Sequence, residues 1–288
     1  MSPISKHGYR NFAVMLTAGL LLLVSCEEVM DVSFSGDSSK NLVVQGSITT
    51  DTTAHRVTLS LTGDFFDKPV QEMVSGAEVT ITDGDTTYIL HETEPGKYLT
   101  APDVCGEVGK TYTLDIMLSD GRRYSASDHL SSCGDIDSIR QSANYNSYMS
   151  GYGYDVLFYG QEPPKQGDNY MYFLYINNVL YSDTLSEVIF ANDEFVNGNY
   201  VGEFIVYRIR EADIQGDTSL VTLEMHSITP EYYDFMNAMM LETVWKGSPW
   251  DGPPANVNGN LNNGARGYFR TSEIKRQSRI FRSSPRVN

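Results

Sequence analysis

Cys26 stands where an apolar run stops, in Leu23-Val24-Ser25-Cys26-Glu27-Glu28. A thiol at that place can undergo one specific processing reaction. The chain is cut before the cysteine, and lipid is attached to its sulfur and to the new amine. That chemistry needs a thiol just after the cut and small residues just before it, and Val24 and Ser25 supply the latter. The chain has two other cysteines, Cys105 and Cys133, and five histidines, His7, His55, His91, His129 and His226. No cysteine pair has zinc spacing, and no two of the last four histidines fall at helical ligand spacing. There is no Gly-x-Ser-x-Gly elbow, P-loop or dinucleotide glycine pattern. Paired carboxylates for sugar hydrolysis need not be close in sequence, but Asp103, Asp115 and Asp155 have no distinguishing context. The sequence therefore carries no reaction centre, and the expectation is a non-enzymatic protein without cofactor or metal.

The segment before Cys26 must position it for export. Lys6, His7 and Arg10 form a positive start, and Phe12 to Val24 is an apolar stretch of 13 residues broken only by Thr17 and Gly19. A membrane span needs about 20 residues, whereas a signal peptide core needs fewer. Residues 1–25 read as a signal peptide, and Leu23 to Cys26 resembles the bacterial lipobox; the plainer reading is a signal peptide with an incidental cysteine. Lipidation would take Cys26 out of an odd count and leave Cys105 and Cys133 as an even pair. In an oxidising compartment they form a disulfide worth roughly 3 kcal/mol in the chain-entropy model, or else remain two buried thiols. The even count favours the bridge.

Charge is unevenly spread. The formal net charge is −16, but residues 264–288 carry seven basic residues against Glu273 alone, so the body from Cys26 to Asn263 is strongly acidic. Such an acidic body argues against nucleic acid as a partner, because phosphate contacts need a basic surface. The basic end could meet an acidic partner or lipid headgroups, or be a solvated last strand and tail.

Residues 26–40 are polar and aperiodic and read as an acidic tether. From Asn41 the pattern is β. Val57, Leu59 and Leu61 share one face, as do Val79 and Ile81, and Tyr112, Leu114 and Ile116. Asp83-Gly84 and Asp120-Gly121 lie between alternating runs and predict hairpins. Residues 41–133 thus read as an immunoglobulin-like β-sandwich, and 134–288 as a second β-rich domain with one helix from Pro230 to about Thr243. Thr229 is placed to cap that helix and Pro230 to open it. Tyr232, Phe235, Met236, Met239 and Met240 form an apolar stripe on it, expected to be core packing.

Two loops offer oxygen ligands, Thr82–Thr87 and Ala191–Asn199, but ordinary turn chemistry accounts for both. Eleven of the 19 tyrosines lie between Tyr145 and Tyr207. Tyr170 and Tyr172 alternate with Met171 and Phe173, so that strand is apolar on both faces and expected to be buried. The Gly/Ser/Asn/Tyr stretch from Asn144 to Tyr154 has the composition of an adaptable binding loop. Its Tyr148, Tyr152 and Tyr154, together with Trp250 in the later "SPWDGPPANVNGN" stretch, are the candidate ligand contacts.

An ordered set of motifs spans nearly the whole chain. These are "LVVQGSIT", "VSGAEVTI", "GEVGKTYTLDI" followed by "DGRRYSA", "DIDSI", "SITPEYYDF" and "WDGPPANVNGNLNNGARGYF". With the Cys26 motif, they resemble a family of Bacteroidota outer-membrane lipoproteins that carry a domain of unknown function. Such proteins are commonly encoded beside TonB-dependent receptors of the SusC type. Glu27 and Glu28 resemble the acidic surface-export signal of some of these lipoproteins. The resemblance implies an outer-membrane lipid anchor, a cell-surface position and a receptor neighbour. It brings no catalytic residues, and the cysteine pair is not a hallmark of it. Two functions follow as expectations: an accessory to such a receptor in nutrient capture or uptake, or a stand-alone binder of a glycan, peptide or metal complex.

Overall fold

The first half is built from strands whose alternation the sequence displays. β1 (Leu42–Thr49), β2 (Arg56–Leu61), β3 (Glu78–Thr82), β4 (Thr87–Glu94), β5 (Lys97–Leu99), β6 (Thr111–Met117) and β7 (Arg123–His129) are joined to a late strand, β15 (Arg266–Ser272), in the order β15-β1-β2-β5-β4-β3-β6-β7. The computed structural model describes residues 40–63, 71–146, 151–214, 216–243 and 257–283, so Cys26, the tether start, Tyr148 and Trp250 lie outside the described residues. Val57, Leu59, Val79, Ile81, Tyr112, Leu114 and Ile116 all point into one core, as their spacing predicts. The Asp-Gly turns form where expected. Asp83 Oδ1 accepts the amides of Asp85 and Thr86, and Gly84 takes the positive φ of 94° that the turn requires. This accounts for the Thr82–Thr87 loop as turn chemistry.

The sheet is folded over that core. β4 pairs with β3 through Leu90 and with β5 from His91 onward, with a bulge between Glu92 and Glu94. The change of partner falls between Leu90 and His91, so β4 links the two parts of the sheet, and the bulge sharpens the twist just beyond it. At the opposite side β7 and β15 meet without a ladder, and asparagine side chains stand in for strand partners. Asn260 donates to Ser127 O and Phe269 O and accepts from the Phe269 amide, while Asn262 accepts from Ser125 N and donates its own amide to Ser125 O. The Asn-rich motif thus covers the exposed edge of β7, which removes an aggregation-prone strand edge.

The second half pairs two sheets. β8 (Ser138–Asn146), β9 (Gly151–Gln161) and β13 (Tyr200–Arg210) form one in the order β13-β9-β8. β10 (Asn169–Ile176), β11 (Val179–Leu180), β14 (Thr218–Ile228) and β16 (Ile274–Arg282) form the other in the order β11-β10-β14-β16, with β12 (Ile189–Asn192) also on β10. Val156, Phe158, Tyr172, Leu174, Val221, Leu223 and Phe281 fill the space between. Tyr170, Met171 and Tyr172 are all buried, as expected for that strand.

The two halves share a strand path. β15 runs parallel to β1, and after Glu273 the chain continues directly as β16 beside β14. Lys40–Asn288 is accordingly one compact unit, and the sheet built mainly from residues 41–133 takes its edge strand from residues 266–272. The fold is mainly β with one α-helix among the described residues, α1 (Pro230–Thr243). No helix among those residues is long and apolar enough to cross a membrane. The basic end is partly neutralised by the chain's own acids: Arg276 pairs with Asp51 and Glu224, and Lys275 with Asp135 and Glu273.

The expected disulfide is not formed, and this corrects the reading of the cysteine count. Cys105 and Cys133 are free thiols, the first exposed and the second buried. Cys105 Sγ donates to Thr50 O, whereas Cys133 is turned into the second core toward Met225 O, with its amide held by the Glu273 carboxylate at 2.6 Å. Parity counts cysteines but says nothing about which way their side chains point, and here they serve different environments.

Candidate functional site

The groove beneath α1 begins with strand alternation. In β15, Phe269 faces the first core, so Tyr268 and Arg270 face outward. In β1, Val44 and Ile48 face that core, which leaves Val43, Gln45 and Ser47 on the same outer face. α1 lies against this face. The Thr229 main-chain carbonyl accepts the Tyr233 amide at its start, and the Thr229 hydroxyl reaches Asp128 Oδ1 at 2.9 Å.

The helical stripe then divides. Met240 is buried, while Tyr232, Phe235, Met239 and the buried Met236 line a cavity of about 780 Å³ between the helix and the sheet. The stripe is therefore only partly the core packing its spacing predicts. Tyr232 meets Tyr268 edge-on at 4.8 Å between centroids, and Phe235 lies 5.1 Å from Tyr268. These aromatic faces form one wall, and Arg270 sits at the floor with its guanidinium 5.8 Å from the Tyr232 ring and its Nη1 donating to Ser272 Oγ at 2.7 Å. His55 stands at the end of the groove with Nε2 at 3.2 Å from Val104 O, and burial pulls its pKa down. A volume in this range with apolar walls and a few polar groups is the usual form of a small-molecule site.

Of the residues singled out from the sequence, Tyr148 and Trp250 lie outside the described residues, and Tyr152 and Tyr154 fall elsewhere. Asn144–Asn146 pair with Gly151–Gly153 in the β8–β9 ladder, and the expectation for Tyr154 is corrected: at 3 % exposure it packs in the second core. Tyr152, two residues earlier on the same strand, lies toward the end of the β8–β9 ladder and is 70 % exposed. Neither lines the groove. Arg270, Tyr268 and Gln45 were not singled out. The available signal was the alternation in "RGYFRTS", which puts Arg266, Tyr268 and Arg270 on the face opposite Phe269.

A second cluster lies in the other half. Carboxylate oxygens of Glu162, Asp168 and Asp193 lie within 4.8 Å of one another. Asp193 belongs to the Ala191–Asn199 loop, so that loop does more than turn the chain. Three carboxylates at this spacing could hold a hard cation, but the chain already supplies donors. Tyr170 Oη donates to Glu162 at 2.6 Å and the Gly167 amide to Asp193 at 2.8 Å. Burial, and then the neighbouring carboxylates, push the pKa values of Glu162 and Asp168 up.

A third group is the buried His226, whose Nε2 is 3.2 Å from Glu224 Oε2. Burial lowers its pKa to about 4, so it is neutral at pH 7. Its Nδ1 has no hydrogen-bond partner among the described residues. Glu224 in turn accepts from Arg276, whose other nitrogens hold Asp51.

A folded-over β-sheet joined to a second pair of sheets, with the one α-helix among the described residues roofing an aromatic groove, defines a mainly β protein with a binding-type cavity. The chain belongs to the family described as "Domain of unknown function (DUF4249)", whose model matches residues 27–278. The match begins directly after Cys26. Comparison with curated proteins finds no match.

Proposed function

We propose that this protein is a non-enzymatic binding lipoprotein of the outer membrane, tethered through Cys26 and facing the cell surface. In this reading it is accessory to a TonB-dependent receptor of the SusC type in nutrient capture or uptake. The observation that carries the binding part is the groove of about 780 Å³ under α1, with its aromatic wall and arginine floor. The anchoring part rests on Leu23-Val24-Ser25-Cys26 and the polar tether after it, and the receptor part on the family resemblance of the motifs. A lipid anchor at Cys26 would hold the protein at the membrane beside such a partner.

The test is affinity purification from gently solubilised outer membranes. A SusC-type barrel should be recovered with the wild-type chain, and Cys26→Ala should lose both membrane association and the barrel. Recovery of the wild-type protein alone, or from the inner membrane, would overturn the receptor part. A stand-alone binding lipoprotein is the second reading, favoured by a groove built entirely from this chain; it predicts ligand binding without a barrel.

A further inference from the structure

We propose that the groove beneath α1 takes a small amphipathic carboxylate, held by Arg270 at its charged end and by Tyr232, Phe235 and Tyr268 along its apolar body. This deepens the binding reading above and rests on it.

The argument starts from charge. The chain carries 37 acidic and 21 basic residues, yet the residues lining this groove include Arg56 and Arg270 and no aspartate or glutamate. Neither arginine has an ion-pair partner among the described residues, whereas Arg122, Arg208, Arg210 and Arg276 all pair with carboxylates. Among the described residues of an acidic protein, two guanidinium groups thus stand in one cavity without an ion-pair contact, with Glu94 acting on Arg56 only at longer range.

Strand register places them. Arg270 lies opposite Ser47 in the β15–β1 pairing. The β1–β2 pairing sets Gly46 opposite Val57, so the next step along it brings Arg56 beside Ser47 from the other side. The three residues form one row across the floor, Arg270–Ser47–Arg56. Inter-strand spacing puts the two arginine Cα atoms roughly 10 Å apart. Arg270 is half-buried and fixed by its bond to Ser272 and its position near the Tyr232 ring. Arg56 is exposed and stands at the rim.

The chemistry then selects the ligand. A guanidinium offers paired donors that match the two oxygens of a carboxylate, and the Ser47 hydroxyl adds a third donor beside them. One partly desolvated arginine suits a single negative charge. The aromatic wall and Met239 favour a flat or branched apolar body attached to that charge.

The experiment uses the full mature chain with Cys26→Ser, so that no lipid competes for the probe. The probes are 4-phenylbutyrate and its uncharged amide, 4-phenylbutanamide, titrated by calorimetry with ligand-observed NMR as a second readout. The acid should bind, and the amide should bind at least about tenfold more weakly. Arg270→Gln should remove the preference for the acid, Arg270→Lys should restore part of it, and Phe235→Ala should weaken both probes. Circular dichroism of each variant checks that it is folded. Equal binding of acid and amide, or a preference surviving in Arg270→Gln, would overturn the carboxylate assignment while leaving a binding groove in place. Binding of neither probe would overturn the site itself. Loss of the receptor in co-purification would touch neither result.

Discussion

The carboxylate of Asp128 holds the Thr271 amide at 2.6 Å and its hydroxyl at 3.2 Å, across 143 residues of sequence. Its other oxygen accepts from the Thr229 hydroxyl at 2.9 Å. One buried side chain on β7 thus ties together the edge of β15 and the start of α1, the two elements that form the groove. Asp128→Ala would leave the Thr271 amide buried without a partner. The expected loss is about 2–4 kcal/mol in urea unfolding, with Asp128→Asn milder because an acceptor oxygen remains. An unchanged midpoint would mean the contact is not formed.

Gly267 pairs with Val44 and has a φ of 90°, and a Cβ there would run into the Val44 carbonyl oxygen. Both the backbone angle and the space demand glycine. Gly267→Ala should destabilise by about 2–4 kcal/mol and displace β15, which carries Tyr268 and Arg270. Thermal unfolding combined with the acid/amide titration would check both consequences, since loss of stability without any change at the groove would separate the strand from the site.

The cysteine geometry predicts a sharp difference in reactivity. In the chain from residue 27 onward, a maleimide should label Cys105 readily and leave Cys133 untouched until denaturant is added. Cys133 is buried, and burial first, then nearby acids, push its thiol pKa well up, so little thiolate forms. Mass spectrometry of the native protein should show one adduct, and of the unfolded protein two. A native protein that takes no label and gains two thiols on reduction would restore the disulfide.

Strands and turns were legible because local chemistry decides them. Val57 and Leu59, Val79 and Ile81, and the two Asp-Gly turns act through periodicity and backbone preference within a few residues. Pro230–Thr243 was legible from its opening proline and apolar stripe. The return of Arg266–Ser272 to β1 was not, because a parallel pairing made more than 200 residues away leaves no local trace. The groove depends on that return. Tyr154 misled because its neighbourhood has loop composition while its own position continues a strand. Asp128 and Arg270 look like ordinary surface charges until the fold brings Thr271 and α1 against them.

His226 makes stability depend on mild acid. Burial lowers its pKa from 6.5 to about 4, so the unfolded chain binds the extra proton between those values and the folded chain does not. The stabilisation is therefore complete above pH 6.5 and is lost as pH falls toward 4. A shift of this size corresponds to roughly 3 kcal/mol at most. His226→Gln, which can still donate to Glu224, should flatten the urea-midpoint profile between pH 6.5 and 4. A slope that survives the substitution would assign it to other groups.

The carboxylates of Glu162 and Asp168 pull in the opposite direction. Their pKa values are raised, mainly by burial, so their contribution favours the folded state in acid and turns against it as pH rises through the carboxylate range. At neutral pH the cluster with Asp193 holds like charges within 4.8 Å. Asp168→Asn removes one of them from a half-buried position without changing the shape of the side chain. It should raise Tm by roughly 1–2 °C at pH 8 and lose that advantage near pH 4, where wild-type Asp168 is itself becoming neutral. Adding millimolar calcium discriminates the two things the cluster can do. If its charges are balanced only by Tyr170 and the Gly167 amide, calcium leaves both proteins unchanged. If the oxygens close on a cation, calcium raises the wild-type Tm and not that of Asp168→Asn, and the order of the two stabilities at pH 8 is reversed.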